Sequence, residues 1–131
     1  MAVQFDSEAA STLVTQLGGE IVRDPFYQSE PWDQLSLVIN LDGRKQMFGY
    51  VYSSADWEAA GPDGIEPLVT ATKLQQAMQL PGKPTWKKCL VTIDRASAKI
   101  DIDFDYEGTK WVPDMSDPEG FALGLRSAGR G

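Results

Sequence analysis

Residues 100–107 read Ile-Asp-Ile-Asp-Phe-Asp-Tyr-Glu, so that Ile100, Ile102, Phe104 and Tyr106 alternate without a break with Asp101, Asp103, Asp105 and Glu107. A period of two belongs to a β-strand, where successive side chains point to opposite faces. The segment therefore presents an apolar side to a core and a row of four carboxylates to the other side. Aspartate is among the least favoured strand residues, and neighbouring like charges on one face repel. A solvated face would more naturally use Thr, Lys, Ser or Gln. The row weakens the strand, and such departures tend to fall at functional sites.

The strand before it, Trp86 to Asp94, pairs with Lys99 to Tyr106 across the turn Arg95–Ala98. Setting Asp94 opposite Lys99 places Thr92 against Asp101, Leu90 against Asp103 and Lys88 against Asp105. Cys89 then meets Phe104, and Val91 meets Ile102, on the buried side. In this register Leu90 stands exposed among the carboxylates, and Lys88 softens their repulsion.

An earlier hairpin runs from Trp32 to Leu41 and back from Lys45 to Tyr52, with Asp42-Gly43 as a two-residue turn. That turn sets Leu37 opposite Phe48 and Leu35 opposite Tyr50. Leu13, Val14 and Leu17 have helical spacing and predict a short helix capped by Asp6 or Ser7 and stopped at Gly18-Gly19. Ile21 and Val22 then start a strand that Asp24-Pro25 breaks. A second helix is expected over residues 65–80, with Leu68, Val69, Leu74, Ala77 and Met78 towards the core and Pro67 in the first turn. Asp117-Pro118 opens a short C-terminal helix with Phe121, Leu123 and Leu125 as its apolar residues. The expectation is one α+β domain over residues 1–126: an antiparallel sheet of four to six strands built from two hairpins, helices packed on one face. Residues 127–131 read as a frayed tail or an expression remnant.

Nineteen acidic and twelve basic residues give a formal net charge of −7 in a chain of 131 residues. Phosphate binding is driven by Lys and Arg displacing counterions, so a nucleic-acid partner is not expected, nor is an anionic membrane surface. No stretch approaches the ~20 apolar residues of a membrane helix, and Met1 to Phe5 lacks the features of a secretory leader. A cytoplasmic location is expected. The chain has no histidine and one cysteine, Cys89, which removes imidazole-based catalysis and nearly all zinc sites. Cys89 lies in an apolar stretch and reads as a buried thiol.

Three roles compete for the acidic row: a solubilising outer face or charge-protected edge, a cation site, and electrostatic docking to a basic protein. Alternate residues on a strand lie ~7 Å apart, too far for several of them to ligate one ion unaided. Asp56, Trp57 and Glu58, in the loop between hairpin and helix, are secondary contact candidates. No catalytic residue, metal or cofactor is assigned.

Pro84-Thr85-Trp86, the apolar strand after it, and Lys99-Ile100-Asp101-Ile102-Asp103-Phe104-Asp105-Tyr106-Glu107 resemble the C-terminal part of the YezG-like family of bacterial immunity proteins. The resemblance covers about the last third of the chain. It implies a cytosolic antitoxin of a polymorphic or contact-dependent inhibition system, a monomer or weak dimer when free. Such a protein binds and blocks a cognate toxin domain, often a nuclease with a basic surface. The expected contacts are Asp101, Asp103, Asp105 and Glu107, with Lys88 and Leu90 beside them. The alternatives are a structural or adaptor module and a small carboxylate-dependent hydrolase.

Overall fold

The computed structural model describes residues 7–29, 31–54 and 56–128. In chain order the elements are α1 (Ser7–Arg23), α2 (Pro25–Ser29), β1 (Gln34–Asn40), β2 (Gln46–Ser53), β3 (Asp56–Ala59), α3 (Glu66–Met78), β4 (Lys88–Asp94), β5 (Lys99–Asp105) and α4 (Pro118–Ala128). The five strands form one antiparallel sheet in the order β3-β2-β1-β4-β5. This is the expected α+β architecture, with β1 at the centre and β3 and β5 as the edges.

The first face carries Leu35, Leu37 and Ile39 of β1 and Cys89, Val91 and Ile93 of β4, all buried beneath α1 and α3. Ala10, Leu17 and Ile21 line the inner side of α1, and Pro67, Thr70, Ala71 and Leu74 that of α3. These spacings of three, four and seven are those of a helical stripe. The two helices are clasped by Thr70 Oγ1, which donates to Glu20 Oε1 at 2.6 Å. Val69, assigned to the core from sequence, is 45% exposed. Burial pushes the Cys89 thiol well above its ordinary range, as expected of a thiolate without water.

Helix α1 does not stop at Gly18-Gly19; it continues to Arg23 and takes Ile21 and Val22 with it. A glycine inside a helix costs ~1 kcal/mol, but a Cβ at position 18 would collide with Ile100 Cδ1 of β5. Gly18 is therefore the place where the helix backbone meets the sheet, and burial of Leu17 and Ile21 on either side offsets the cost. The break comes at Asp24, whose buried carboxylate caps α2 through Phe26 N–H and also accepts from Asp63 and Gly64 N–H. The proposed cap at Asp6 lies outside the described residues, as does the side chain of Ser7.

The first hairpin closes one residue later than a two-residue turn allows. Asn40 pairs with Gln46, Leu37 with Gly49 and Leu35 with Val51. The Asn40 side chain donates to the carbonyls of Asp42 and Arg44 and accepts from Asp42 N–H, holding a five-residue loop over residues 41–45. A one-residue slip exchanges the faces of a strand. Phe48 and Tyr50 consequently leave the first face and lie on the second, beside Val38. Residues 56–59, read as loop, form the edge strand β3 against β2.

The C-terminal helix occupies the face opposite to α1 and α3. Its residues Ala122 and Leu125 are buried on that side, and Phe121 packs on Phe48 and Tyr50 with ring centroids 6.2 and 6.0 Å apart. Leu123, the third apolar residue of the helix, is 37% exposed. Tyr52 Oη donates to Ala122 O at 2.6 Å, fixing the helix to β2. The helix begins at Asp117, whose Oδ1 accepts from Gly120 N–H. It includes residues 127 and 128, and 129–131 lie outside the described residues.

Gly49 permits the close approach of β2 to β1. A Cβ there would strike the Ser36 carbonyl oxygen and stand 2.9 Å from Leu37 Cα. These are backbone atoms and cannot swing aside. Gly49→Ala is expected to cost about 1–3 kcal/mol or more, read as a lowered urea midpoint with an unchanged m-value.

Candidate functional site

The β4–β5 register is the one anticipated: Asp94 opposite Lys99, Thr92 opposite Asp101, Leu90 opposite Asp103 and Lys88 opposite Asp105. All three aspartates of β5 emerge on the second face, but each meets a different environment there. The even row of four outward carboxylates is not what the fold contains.

Asp105 is 3% exposed and serves the loop that follows. Its Oδ1 accepts from Glu107 N–H at 3.1 Å and its Oδ2 from Lys110 N–H at 2.8 Å. Burial alone would raise this carboxyl. The N–H groups of Lys110, Gly108 and Glu107, with the charge of Lys88, outweigh it and hold the group below its ordinary value. Lys88 adds a second tie by donating from Nζ to Lys110 O at 2.9 Å. Asp105 and Lys88 are thus positioning groups for residues 106–111 rather than outward contacts.

Leu90 requires a correction too. It is 0% exposed and packs with Val38 and Leu125, with Trp111 laid against them. Strand period alone leaves the second face open to water. The chain returns over it, and Trp111 adopts φ +56 as it does so.

Asp103 is exposed and bends back on its own strand, where Oδ1 accepts from Phe104 N–H at 2.9 Å. Leu41 N–H donates to Lys87 O at 2.8 Å. Alternation of the ladder from that point turns the amides of residues 100, 102 and 104 away from β4, to the free edge. Asp103 therefore occupies an edge donor and adds charge beside it, which blunts pairing with another strand. Asp101 is half-buried, with its Oδ2 3.9 Å from Lys99 Nζ. Glu107 lies past the end of β5 and is exposed.

Beside α4 the uncovered part of the second face forms an open recess of about 380 Å³. Its floor is two cross-strand rows, Ser36–Thr92–Asp101 and Gln34–Asp94–Lys99, set by the pairing of β1, β4 and β5. Arg126 of α4 forms one wall. Its Nε donates to Gln34 Oε1 at 2.6 Å, its Nη1 donates to Ser54 O at 3.1 Å, and its guanidinium lies 5.2 Å from the Tyr52 ring centroid. Asp94 Oδ1 accepts from Ala96 and Ser97 N–H and so shapes the turn. Ser36 is 1% exposed and its Oγ makes no hydrogen bond. The Tyr52 hydroxyl is raised chiefly by burial; Ser36 lies near enough to temper that rise, without hydrogen-bond geometry, and the phenol donates instead to Ala122 O.

The recess was not foreseen. One sign was present in the sequence, a serine within the apolar run of β1, but nothing local showed that a helix would stop short of it. Asp56, Trp57 and Glu58 sit on the other edge of the sheet. Trp57 is half-buried against Tyr50 with centroids 5.7 Å apart, whereas Asp56 and Glu58 are exposed. Among the described residues no group of three acidic, cysteine or histidine side chains is placed to hold a metal ion, and no helix is long and apolar enough to cross a membrane. No protein-family model matches the chain, and no curated protein matches it.

Asp105→Ala leaves the amides of Glu107 and Lys110 without their acceptor and is expected to cost about 1–3 kcal/mol. Because the folded-state carboxyl is lowered, its stabilisation is complete above the unfolded value near pH 4 and is lost as pH falls through the folded one. Chemical denaturation of wild type and Asp105→Asn should therefore show a gap at pH 7 that narrows at pH 3. A gap of equal size at both would remove the ionised carboxylate from the account.

Proposed function

We propose that this chain is a non-catalytic inhibitor of the immunity-protein type, which binds a basic toxin domain through the β5 edge and the segment that follows it. The observation that carries the reading is the exposure and low neutralisation of charge there. Asp103 and Glu107 are exposed and Asp101 is half-buried at one end of the sheet, while the Lys99–Asp101 contact is the one ion pair among the described residues of a chain with net charge −7. Such a surface speeds encounter with a cationic partner and rejects an acidic one. Tyr106, Val112 and Met115 are large apolar side chains exposed on the same segment. They supply the apolar contact in place of Leu90, which is buried. Asp105 and Lys88 support the reading indirectly, by fixing the loop on which Tyr106 and Glu107 stand.

The bond from Phe104 N–H to Asp103 favours a second reading, a structural or adaptor module in which the acidic strand is only a protected edge. The two readings separate on binding. Titration calorimetry against the toxin-domain product of the adjacent gene should show one saturable site in wild type. Asp103→Lys combined with Glu107→Lys should weaken it by at least about tenfold, flatten its salt dependence and leave the melting temperature within a degree or two. Unchanged affinity would remove the β5 edge from the interface. Absence of binding by the wild-type protein would leave the adaptor reading in its place.

A further inference from the structure

The recess beside α4 combines three features that no role in the fold accounts for: an open volume of about 380 Å³, a buried hydroxyl without a partner, and a carboxylate with spare accepting capacity. Buried polar groups in native proteins are nearly always paired, and an orphan calls for an explanation. Ser36 Oγ is such an orphan and it faces this recess. Asp101 stands at the other end of the same cross-strand row, roughly 10 Å away at two strand spacings, with Thr92 between them. Its one ion pair among the described residues is with Lys99 at 3.9 Å.

Asp101 and Ser36 Oγ can accept hydrogen bonds, and the guanidinium beside them is occupied. Arg126 is bound by Gln34 and Ser54 and stacked on Tyr52. The Lys99 side chain is 71% exposed and leans on Asp101. The net charge of −7 further favours a positive guest.

We propose that this recess receives an alkyl-ammonium or alkyl-guanidinium group, the side chain of a lysine or arginine on the bound protein. Asp101 supplies the opposing charge at one end of the floor row and Ser36 Oγ an acceptor at the other. The assignment rests on the docking reading above and names one of its contacts: a basic side chain that enters between α4 and β5 while Asp103 and Glu107 meet the surrounding surface.

Agmatine, which carries both cationic groups on one chain, tests the recess without any toxin. Titrated into the full-length ¹⁵N-labelled protein, it should give saturable shifts centred on the amides of Ser36, Thr92 and Asp101. Butylammonium should reproduce them more weakly, and succinate should not. Asp101→Asn should weaken agmatine binding roughly tenfold, the scale of one charge-assisted contact. Ser36→Ala should weaken it several-fold yet melt at or above the wild-type temperature, because the substitution removes an unpaired buried hydroxyl. Shifts scattered over all the surface carboxylates, preference for succinate, or unaltered affinity in both variants would overturn the proposal. Saturation at micromolar agmatine would also overturn it, since that is the behaviour of a resident small-molecule site rather than of one contact in an interface. Loss of the agmatine site while Asp103→Lys with Glu107→Lys still disrupts the toxin complex would leave the docking surface standing without the recess.

Discussion

Val38 and Leu90 face each other across β1 and β4 on the second side of the sheet, both without exposure, and the arrangement of the molecule depends on covering them. Burying side chains of this size stabilises by roughly 1.5–3 kcal/mol each, and Phe48 and Tyr50 extend the apolar area towards the β3 edge. Helices α1 and α3 already occupy the first face. Only the chain after β5 remains to close the second, so it must leave the edge strand, turn back over the sheet and end in an amphipathic helix. Asp105 makes the reversal possible by holding the first amides of the returning segment, and Trp111 and Leu125 complete the cover.

That requirement divides the carboxylates of β5. Asp105 is closest to the reversal and is drawn inward to serve it. Asp103 stays outside at the free edge and ties up an amide there. Asp101 lies under the rim that α4 leaves uncovered and becomes part of a recess. One repeating pattern thus yields a loop anchor, an edge guard and part of a recess floor. On the docking reading proposed above, the β5 edge is a graded surface, with exposed carboxylates at Asp103 and Glu107 and a partly enclosed one at Asp101. Geometry of that kind selects by shape as well as by sign, which a flat acidic face cannot do.

The two hairpins show how far local reading extends. The second was legible in every pair from Asp94–Lys99 to Lys88–Asp105, because strict alternation on β5 and the four-residue turn leave one register that buries Cys89, Val91, Ile102 and Phe104 together. The first was misread by a single residue. Asp42-Gly43 is a strong turn signal, but Asn40 uses its side chain to close a wider loop, and the site opposite Leu37 has no room for a Cβ and takes Gly49. Both faces of β2 are apolar, so its pattern did not oppose the slip. Gly18 misled for a related reason. A glycine pair stops a helix when judged locally, and here one of them is a contact point between helix and strand.

The sequence by itself determined the α+β class, the antiparallel hairpins, the buried thiol at Cys89, the helix over α3 and the segregation of carboxylates to one side of β5. These follow from side-chain period, from turn and breaker residues, and from composition, all of which act over a few neighbours. Tertiary structure alone decided which side of the sheet α4 would cover, that Leu90 and Asp105 would be taken out of water, that residues 56–59 would add an edge strand, and that Ser36, Asp101 and Arg126 would border one recess. Period two sorts a strand into two faces without saying what will lie on either, because the covering segment is dozens of residues distant and its position is set by the area it must bury.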